Sequence, residues 1–140
     1  MKELFIKWFM ALNTLALRLT SGRLGGKLGT QTILVLTTTG RKTGQRRAIP
    51  IAYFRDGANF FIVASNWGKD QQAAWYHNLH ADPHAQLEVG GKSIATLAHD
   101  AEGDEYERLW KYASEHNPPY LDYQKMTARR IPIVIFTPVP

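Results

Sequence analysis

Cysteine is absent from all 140 residues of the chain. Disulfides, thiol nucleophiles and cysteine-ligated zinc or iron–sulfur clusters are therefore excluded. The sequence also lacks the pattern G-x-G-x-x-G, a Walker motif and the serine elbow G-x-S-x-G. These absences argue against a nucleotide-binding α/β fold and against a serine hydrolase. If the protein is an enzyme, a bound organic cofactor is expected to carry the chemistry.

The sequence gives little support for a metal site or for a pair of catalytic carboxylates. His77, His80 and His84 follow one another at helical spacing, but Pro83 interrupts them and no carboxylate is well placed beside them. We therefore predict no metal site. Four of the twelve acidic residues lie at 102–107, where they suit the positive N-terminal end of a helix rather than a pair of catalytic carboxylates.

The charge balance favours an anionic ligand. The net charge is +5 and 44% of residues are hydrophobic, which is typical of one basic globular domain. Nucleotides, anionic lipid and nucleic acid are the candidate partners of such a chain. The cations cluster at one point rather than in a stripe, and no paired aromatic residues mark a base-stacking strand. We therefore predict no nucleic-acid partner.

The first 30 residues are predicted to stand apart from the rest. Apolar residues recur at three- and four-residue steps over 1–19, which predicts an amphipathic helix, and the glycine-rich segment 21–30 reads as a flexible connector. The helix is too short and too often interrupted to span a bilayer. Packing on the core, covering a pocket and peripheral membrane contact stay open for it. A cytoplasmic protein is expected, with association to the cytoplasmic face of a membrane left open.

Residues 31–140 are predicted to form the folded domain. Alternating apolar residues and turn signals predict strands at 31–39, 46–55, 59–65, 86–89, 93–98 and 131–136. Helices are expected from a cap at Asp70 through His80, over 103–116, and from Pro119 through Met126. This order predicts an α+β fold, an antiparallel barrel with helices outside. Pro50 implies that the second strand has a free edge or a bulge there.

A cationic turn between the first two of these strands is the strongest local feature. Arg41, Lys42, Arg46 and Arg47 lie within seven residues, and Gly40 and Gly44 bracket the tip of the turn. Such a turn can bind phosphate or carboxylate through its backbone N–H groups and its guanidinium forks, or it can be a solvated hairpin tip. By the period of two, one face of the following strand carries four residues, namely Arg47, Ile49, Ile51 and Tyr53.

Five other side chains are candidates on less evidence. Ser65 could hydrogen-bond a ring edge or could be a turn serine. Trp75 could stack on a flat cofactor or pack in the core, and Asn78 lies near it on the same helix. Tyr120 and Tyr123 are three residues apart, so both hydroxyls could face one site, or both could be core residues.

The order of several motifs resembles the deazaflavin-dependent nitroreductase family, one of the split β-barrel flavin and deazaflavin oxidoreductases. The motifs are LTTTGRKTGQRR, PIAY, VAS, AWYHNL and NPPYLDYQ followed by TARRIPIVIF, and the match covers about residues 25–138. The resemblance implies an antiparallel split β-barrel with flanking helices. It also implies binding of coenzyme F420, a deazaflavin with a phosphate and an oligoglutamate tail.

The resemblance assigns a role to each motif. The tail of F420 is implied to contact Arg41, Lys42, Thr43, Gln45 and Arg47. The deazaflavin ring is implied to lie near Pro50, Ala64, Ser65, Trp75 and Asn78. Tyr120 and Tyr123 are implied to line the substrate pocket. Trp67 stands where the family often has Gly, Ala73 where it often has Pro, and Asn117 where it often has Tyr.

The implied activity is hydride transfer from reduced deazaflavin to a small hydrophobic, electron-poor acceptor such as a quinone, an enone or a nitroaromatic. The proton would come from one of the catalytic candidates Tyr123, Tyr120 and Ser65, or from solvent. Two alternatives stay open: FMN in place of F420, and a non-enzymatic carrier of a lipid, a fatty acid or the cofactor. A homodimer is also left open.

Overall fold

The computed structural model describes residues 27–28 and 31–140; the predicted helix over 1–19 lies outside the described residues. The strands are β1 (Lys27–Leu28), β2 (Gln31–Thr39), β3 (Arg46–Asp56), β4 (Asn59–Val63), β5 (His84–Val89), β6 (Lys92–Asp100) and β7 (Ile133–Pro138). The helices are α1 (Ala74–Ala81), α2 (Gly103–His116) and α3 (Pro119–Lys125), and a 3-10 turn occupies Asn66–Gly68.

Six of the strands close into an antiparallel barrel. The order around the sheet is β2-β3-β4-β7-β6-β5, and β5 pairs back onto β2 to complete the ring. The short β1 lies beside the start of β2. The predicted α+β class, with an antiparallel barrel and flanking helices, is thereby confirmed.

The barrel interior is filled by the side chains that alternate inward along each strand. β2 contributes Leu34 and Leu36, and β4 contributes Phe60 and Ile62, each at most 1% exposed. Helix α1 lies against this interior because Trp75 and Leu79 join the same apolar cluster. Each fully buried large side chain stabilises the fold by roughly 1.5–3 kcal/mol.

Helices α2 and α3 cover part of the outer face of the barrel. The residues of β4 and β7 that point outward, among them Phe61 and Ile133, pack against Tyr106, Leu109 and Tyr120 of the two helices. Helix α2 carries its apolar residues on one stripe, as its sequence predicts, and Pro119 stands in the first turn of α3.

The barrel wall is open between β3 and β4. These strands pair only over residues 54–56 and 59–61. Residues 46–53 of β3 pair with β2 on one edge, and within the described part of the chain no strand pairs with their other edge. Pro50 lies on that free edge, as predicted, where its missing N–H costs no ladder bond.

Several predicted boundaries are wrong. Helix α1 begins after Ala73 and has no side-chain cap, so Asp70 does not cap it. β4 ends at Val63 because the chain turns into the 3-10 turn, and β7 begins only at Ile133. The connector predicted over 21–30 is wrong at Lys27–Leu28, which pair with β2. No helix among the described residues is long and apolar enough to cross a membrane.

Candidate functional site

The cationic turn joins β2 to β3 in a compact loop. The Gly40 N–H donates to the Gln45 carbonyl at 2.7 Å, and the Gly44 N–H donates to the Gly40 carbonyl at 2.8 Å. Gly44 has a φ of +71°, which a residue with a side chain adopts only at a cost. The Thr43 hydroxyl accepts the Gln45 N–H at 3.2 Å. Thr43 and Gln45 thus shape the turn.

The side chain of Asn78 on α1 anchors the start of this turn by hydrogen bonds. Its amide oxygen accepts hydrogen bonds from both the backbone N–H and the guanidinium of Arg41, each at 3.2 Å. Its amide nitrogen donates to the hydroxyl of Thr38 at the end of β2. Asn78 is 5% exposed and Thr38 is 1% exposed. Helix α1 therefore fixes the position of the first residue of the turn, Arg41.

The groups of the turn that are available to bind an anion are mainly its cationic side chains rather than its backbone N–H groups. The N–H groups of Gly40, Arg41, Gly44 and Gln45 are engaged inside the protein, so the expectation that backbone N–H groups form the anion pocket is wrong for these four. In contrast, none of the ion pairs found within residues 31–140 uses a cation of this turn.

The cations of the turn are on exposed residues, and besides Arg41 one more of them already donates a hydrogen bond within the protein. Arg46 donates to the Thr39 hydroxyl at 3.0 Å. Arg47 lies on the same strand face as Ile49 and Ile51, which pack against the interior cluster. Because side chains alternate along a strand, Arg46 and Arg47 point to opposite faces of β3. An acidic, flexible ligand tail fits this donor set.

Three predicted residues lie on the two chain segments that flank the opening between β3 and β4. The ladder between these strands ends at the pair Phe54–Phe61, so Pro50 flanks the opening on β3, and Ala64 and Ser65 flank it just after β4. Ala64 points inward and is 1% exposed, whereas Ser65 is half-buried. Pro50 lies on the face of β3 opposite to Arg47, so the two reach the opening from different sides.

Trp75 packs in the barrel interior. It is 8% exposed and joins the apolar cluster that contains Ala64 and Leu79. Of the two roles considered from the sequence, packing in the core therefore accounts for most of the Trp75 surface. Contact of the remaining edge with a cofactor stays a prediction.

Arg129 holds the segment that follows β4, a role that no sequence motif predicts. Its guanidinium donates to the carbonyls of Ser65 and Lys69 and to the side-chain oxygen of Gln72, each at 2.9 Å. Gln124 of α3 in turn accepts the Ile131 N–H and donates to the Arg129 carbonyl. The loop 65–72 and α3 are thus tied into one unit. An arginine without a nearby acid in the sequence was the only available signal.

The two tyrosines of α3 occupy different environments. Tyr120 is 5% exposed and packs in the outer cluster, and burial raises the pKa of its hydroxyl although the Asn117 side chain acts in the opposite direction. Tyr123 is half-buried and meets Trp67 edge to face, with ring centroids 6.3 Å apart. Tyr123 is therefore the more accessible hydroxyl beside the loop that contains Ser65.

A separate cavity of about 380 Å³ lies between α1, β6 and β7. It is lined by His80, His99, Asp100 and Glu102 together with apolar residues. Asp100 accepts hydrogen bonds there from the Tyr76 hydroxyl at 2.6 Å and approaches His80 at 3.2 Å. None of the site residues predicted from the sequence lines this cavity.

Comparison with known proteins agrees with the motifs. The family model described as F420H(2)-dependent quinone reductase matches residues 9–138. An F420H(2)-dependent quinone reductase of Mycobacterium tuberculosis is 40% identical over 122 residues, which cover 84% of this chain and 82% of the relative.

Two solved structures share the fold at similar identity. One, described as an F420-H2 dependent reductase, has a TM-score of 0.68 and 37% identity, and the match covers 74% of this chain and 92% of that one. The other, described as a domain-swapped dimer, has a TM-score of 0.71 and 32% identity, and the match covers 94% and 98% of the two chains. The chain belongs to the F420H(2)-dependent quinone reductase family.

Proposed function

We propose that the protein is an F420-dependent reductase that delivers a hydride from reduced F420 to a quinone. The observation that carries this proposal is the opening between β3 and β4, with Pro50 on one wall and Ser65 on the other, close in the fold to an anchored cationic turn. The family membership and the relatives described as F420H(2)-dependent quinone reductases support the same cofactor and acceptor.

The residues fit the parts of F420. Arg41, Lys42 and Arg47 supply cations for the phosphate and the oligoglutamate tail, and Asn78 keeps the first of them in place. The free edge of β3 beside Pro50 leaves backbone polar groups available to a heteroaromatic ring. Ala64 is 1% exposed and backs the Ser65 side of that wall from the barrel interior.

Reduced F420 supplies a hydride when bound, and a quinone that accepts it needs one proton to become a hydroquinone. Tyr123 is the proposed donor of this proton, because its hydroxyl belongs to the half-buried tyrosine nearest the 65–72 loop. Ser65 is the proposed hydrogen-bond partner of the ring or the acceptor. Tyr120 is proposed to hold Tyr123 through their edge-to-face contact at 6.3 Å.

Replacing Arg47 by Ala is expected to weaken F420 binding about 5- to 150-fold, which corresponds to roughly 1–3 kcal/mol for a lost charge-assisted hydrogen bond. The matched control is Arg46→Ala, which removes the same charge from the neighbouring position but from the opposite face of β3. Titration of the protein with F420, followed by its fluorescence, measures both. Equal losses of F420 affinity in the two variants would show that the turn attracts F420 only through its net charge. Absence of F420 binding by the wild type at about 50 μM would contradict the proposal.

We also propose that the chain forms a homodimer, because the related structure with a TM-score of 0.71 is described as a domain-swapped dimer. Light scattering coupled to size exclusion should give twice the chain mass of 15.9 kDa. The mass of a single chain at every concentration tested would contradict this.

A further inference from the structure

The turn after β4 has an unusual backbone. Asn66, Trp67 and Gly68 all have positive φ, at 48°, 61° and 79°. For a bulky residue such as Trp this is a rare conformation that costs free energy. A strained residue persists only where the surrounding structure imposes it, and an observed outlier of this kind is a reason to look for a function.

The surrounding contacts do impose this conformation. A Cβ on Gly68 would lie 3.1 Å from both Cα and the carbonyl oxygen of Tyr123, so the turn is seated directly on α3. The Asn66 amide donates to the Gln71 carbonyl at 2.8 Å, and Arg129 donates to the carbonyls on both sides of the turn. The strain is therefore built into a rigid loop.

The result of this arrangement is an exposed indole. Trp67 is 73% exposed, although a Trp side chain normally gains free energy by burial. Its ring stands at 80° to the ring of Tyr123. Met126, which is 62% exposed, adds apolar surface on the side of α3. Two aromatic rings at a right angle form a corner that can hold a flat ring by stacking on one wall and by an edge contact with the other.

We infer that Trp67 is a specificity-determining residue that stacks on the planar quinone acceptor. This inference rests on the proposed function, because it assigns the acceptor of that reaction to the Trp67–Tyr123 corner. Tyr123, the proposed proton donor, forms the other wall of the corner. A quinone held there lies beside the hydroxyl that is to protonate it.

Two variants of Trp67 separate this role from a structural one. Trp67→Gly removes the indole and also relieves the backbone strain, so the thermal midpoint should stay the same or rise while KM for a water-soluble naphthoquinone rises about tenfold. Trp67→Phe keeps a smaller ring and should raise KM only about two- to threefold. The Kd for F420 should change less than twofold in both variants.

A binding measurement without F420 gives a second readout. The same naphthoquinone should quench the tryptophan fluorescence of the wild type with a saturable component. That component should be lost in Trp67→Phe and kept in Trp110→Phe, in which a half-buried indole of α2 is replaced. Purely linear, collisional quenching in the wild type would overturn the inference.

The outcomes distinguish the two levels of the proposal. If F420-dependent turnover is present and KM for the quinone is unchanged in Trp67→Gly, the inference about Trp67 is wrong and the proposed function stands. If the wild type shows no turnover but Trp67-dependent saturable quenching persists, quinone binding stands and F420 dependence is wrong. A parallel loss of thermal stability and F420 affinity in Trp67→Gly would also overturn the inference, since it indicates a structural role.

Discussion

Gly68→Ala is expected to lower the free energy of unfolding by roughly 2–4 kcal/mol. About 1 kcal/mol of this arises because alanine disfavours the positive φ of 79° at this position. The remaining roughly 1–3 kcal/mol arises because the added methyl group would lie 3.1 Å from backbone atoms of Tyr123, which cannot yield as a side chain can. Denaturant unfolding measures the total.

The matched control is Gly57→Ala in the turn between β3 and β4. Gly57 also has a positive φ, of 61°, but an added Cβ there meets no atom within 4 Å. It should lose only the conformational part, about 1 kcal/mol. Equal losses in the two variants would show that the 66–68 turn is not seated on α3. The Gly68 variant should also raise KM for the quinone, because the corner between Trp67 and Tyr123 would be displaced.

Asn78→Ala is expected to lower the free energy of unfolding by about 1–3 kcal/mol and to weaken F420 binding at the same time. The substitution leaves the buried Thr38 hydroxyl without its donor and the Arg41 N–H without its acceptor. The cationic turn then loses its attachment to α1. Thermal unfolding and the fluorescence titration with F420 measure the two effects on the same sample.

Asn78→Asp separates the two effects of that position. A carboxylate keeps the acceptor for Arg41, and the Thr38 hydroxyl can rotate to donate to it. Stability should therefore be largely retained, whereas a negative charge beneath the turn should reduce F420 affinity about tenfold. His77→Ala, at the exposed neighbouring position on α1, should change neither quantity. Unchanged F420 affinity in Asn78→Asp would contradict the assignment of the tail to this turn.

Local sequence predicted the barrel well because its strands are regular. The bounds of β2 agree with the prediction to the residue, and α2 was predicted from its apolar stripe over the same 14 residues that form it. Pro50 was correctly placed on a free strand edge, because a missing N–H excludes it from an interior ladder. These features depend on alternation, periodicity and proline geometry, all of which are local.

The segment 64–73 could not be predicted in the same way. Its sequence offers Asp70 as a helix cap, but the chain runs on past it and α1 starts after Ala73. What fixes the loop is Arg129, about 60 residues further along the chain, whose three hydrogen bonds leave no pattern near residue 70. Long-range contacts of this kind override a local capping signal.

In the candidate site, too, some features follow from local sequence and others depend on long-range contacts. The cationic turn was recognisable from its residues, and strand alternation predicted the face on which Arg47 lies. The attachment of the turn to Asn78 and the hydrogen bond from Arg46 to Thr39 required the fold. The motifs placed Tyr120 and Tyr123 together, yet only packing shows that the first is a core residue and the second is accessible.

Turnover with defined cofactors tests the central claim most directly. The protein is mixed anaerobically with reduced F420 and a naphthoquinone, and the return of the oxidised deazaflavin absorbance is followed, with reduced FMN in a parallel reaction. Rapid quinone-dependent oxidation of reduced F420, without comparable turnover of reduced FMN, is the expected result. Oxidation of reduced FMN alone, or of neither cofactor above the rate without protein, would contradict it.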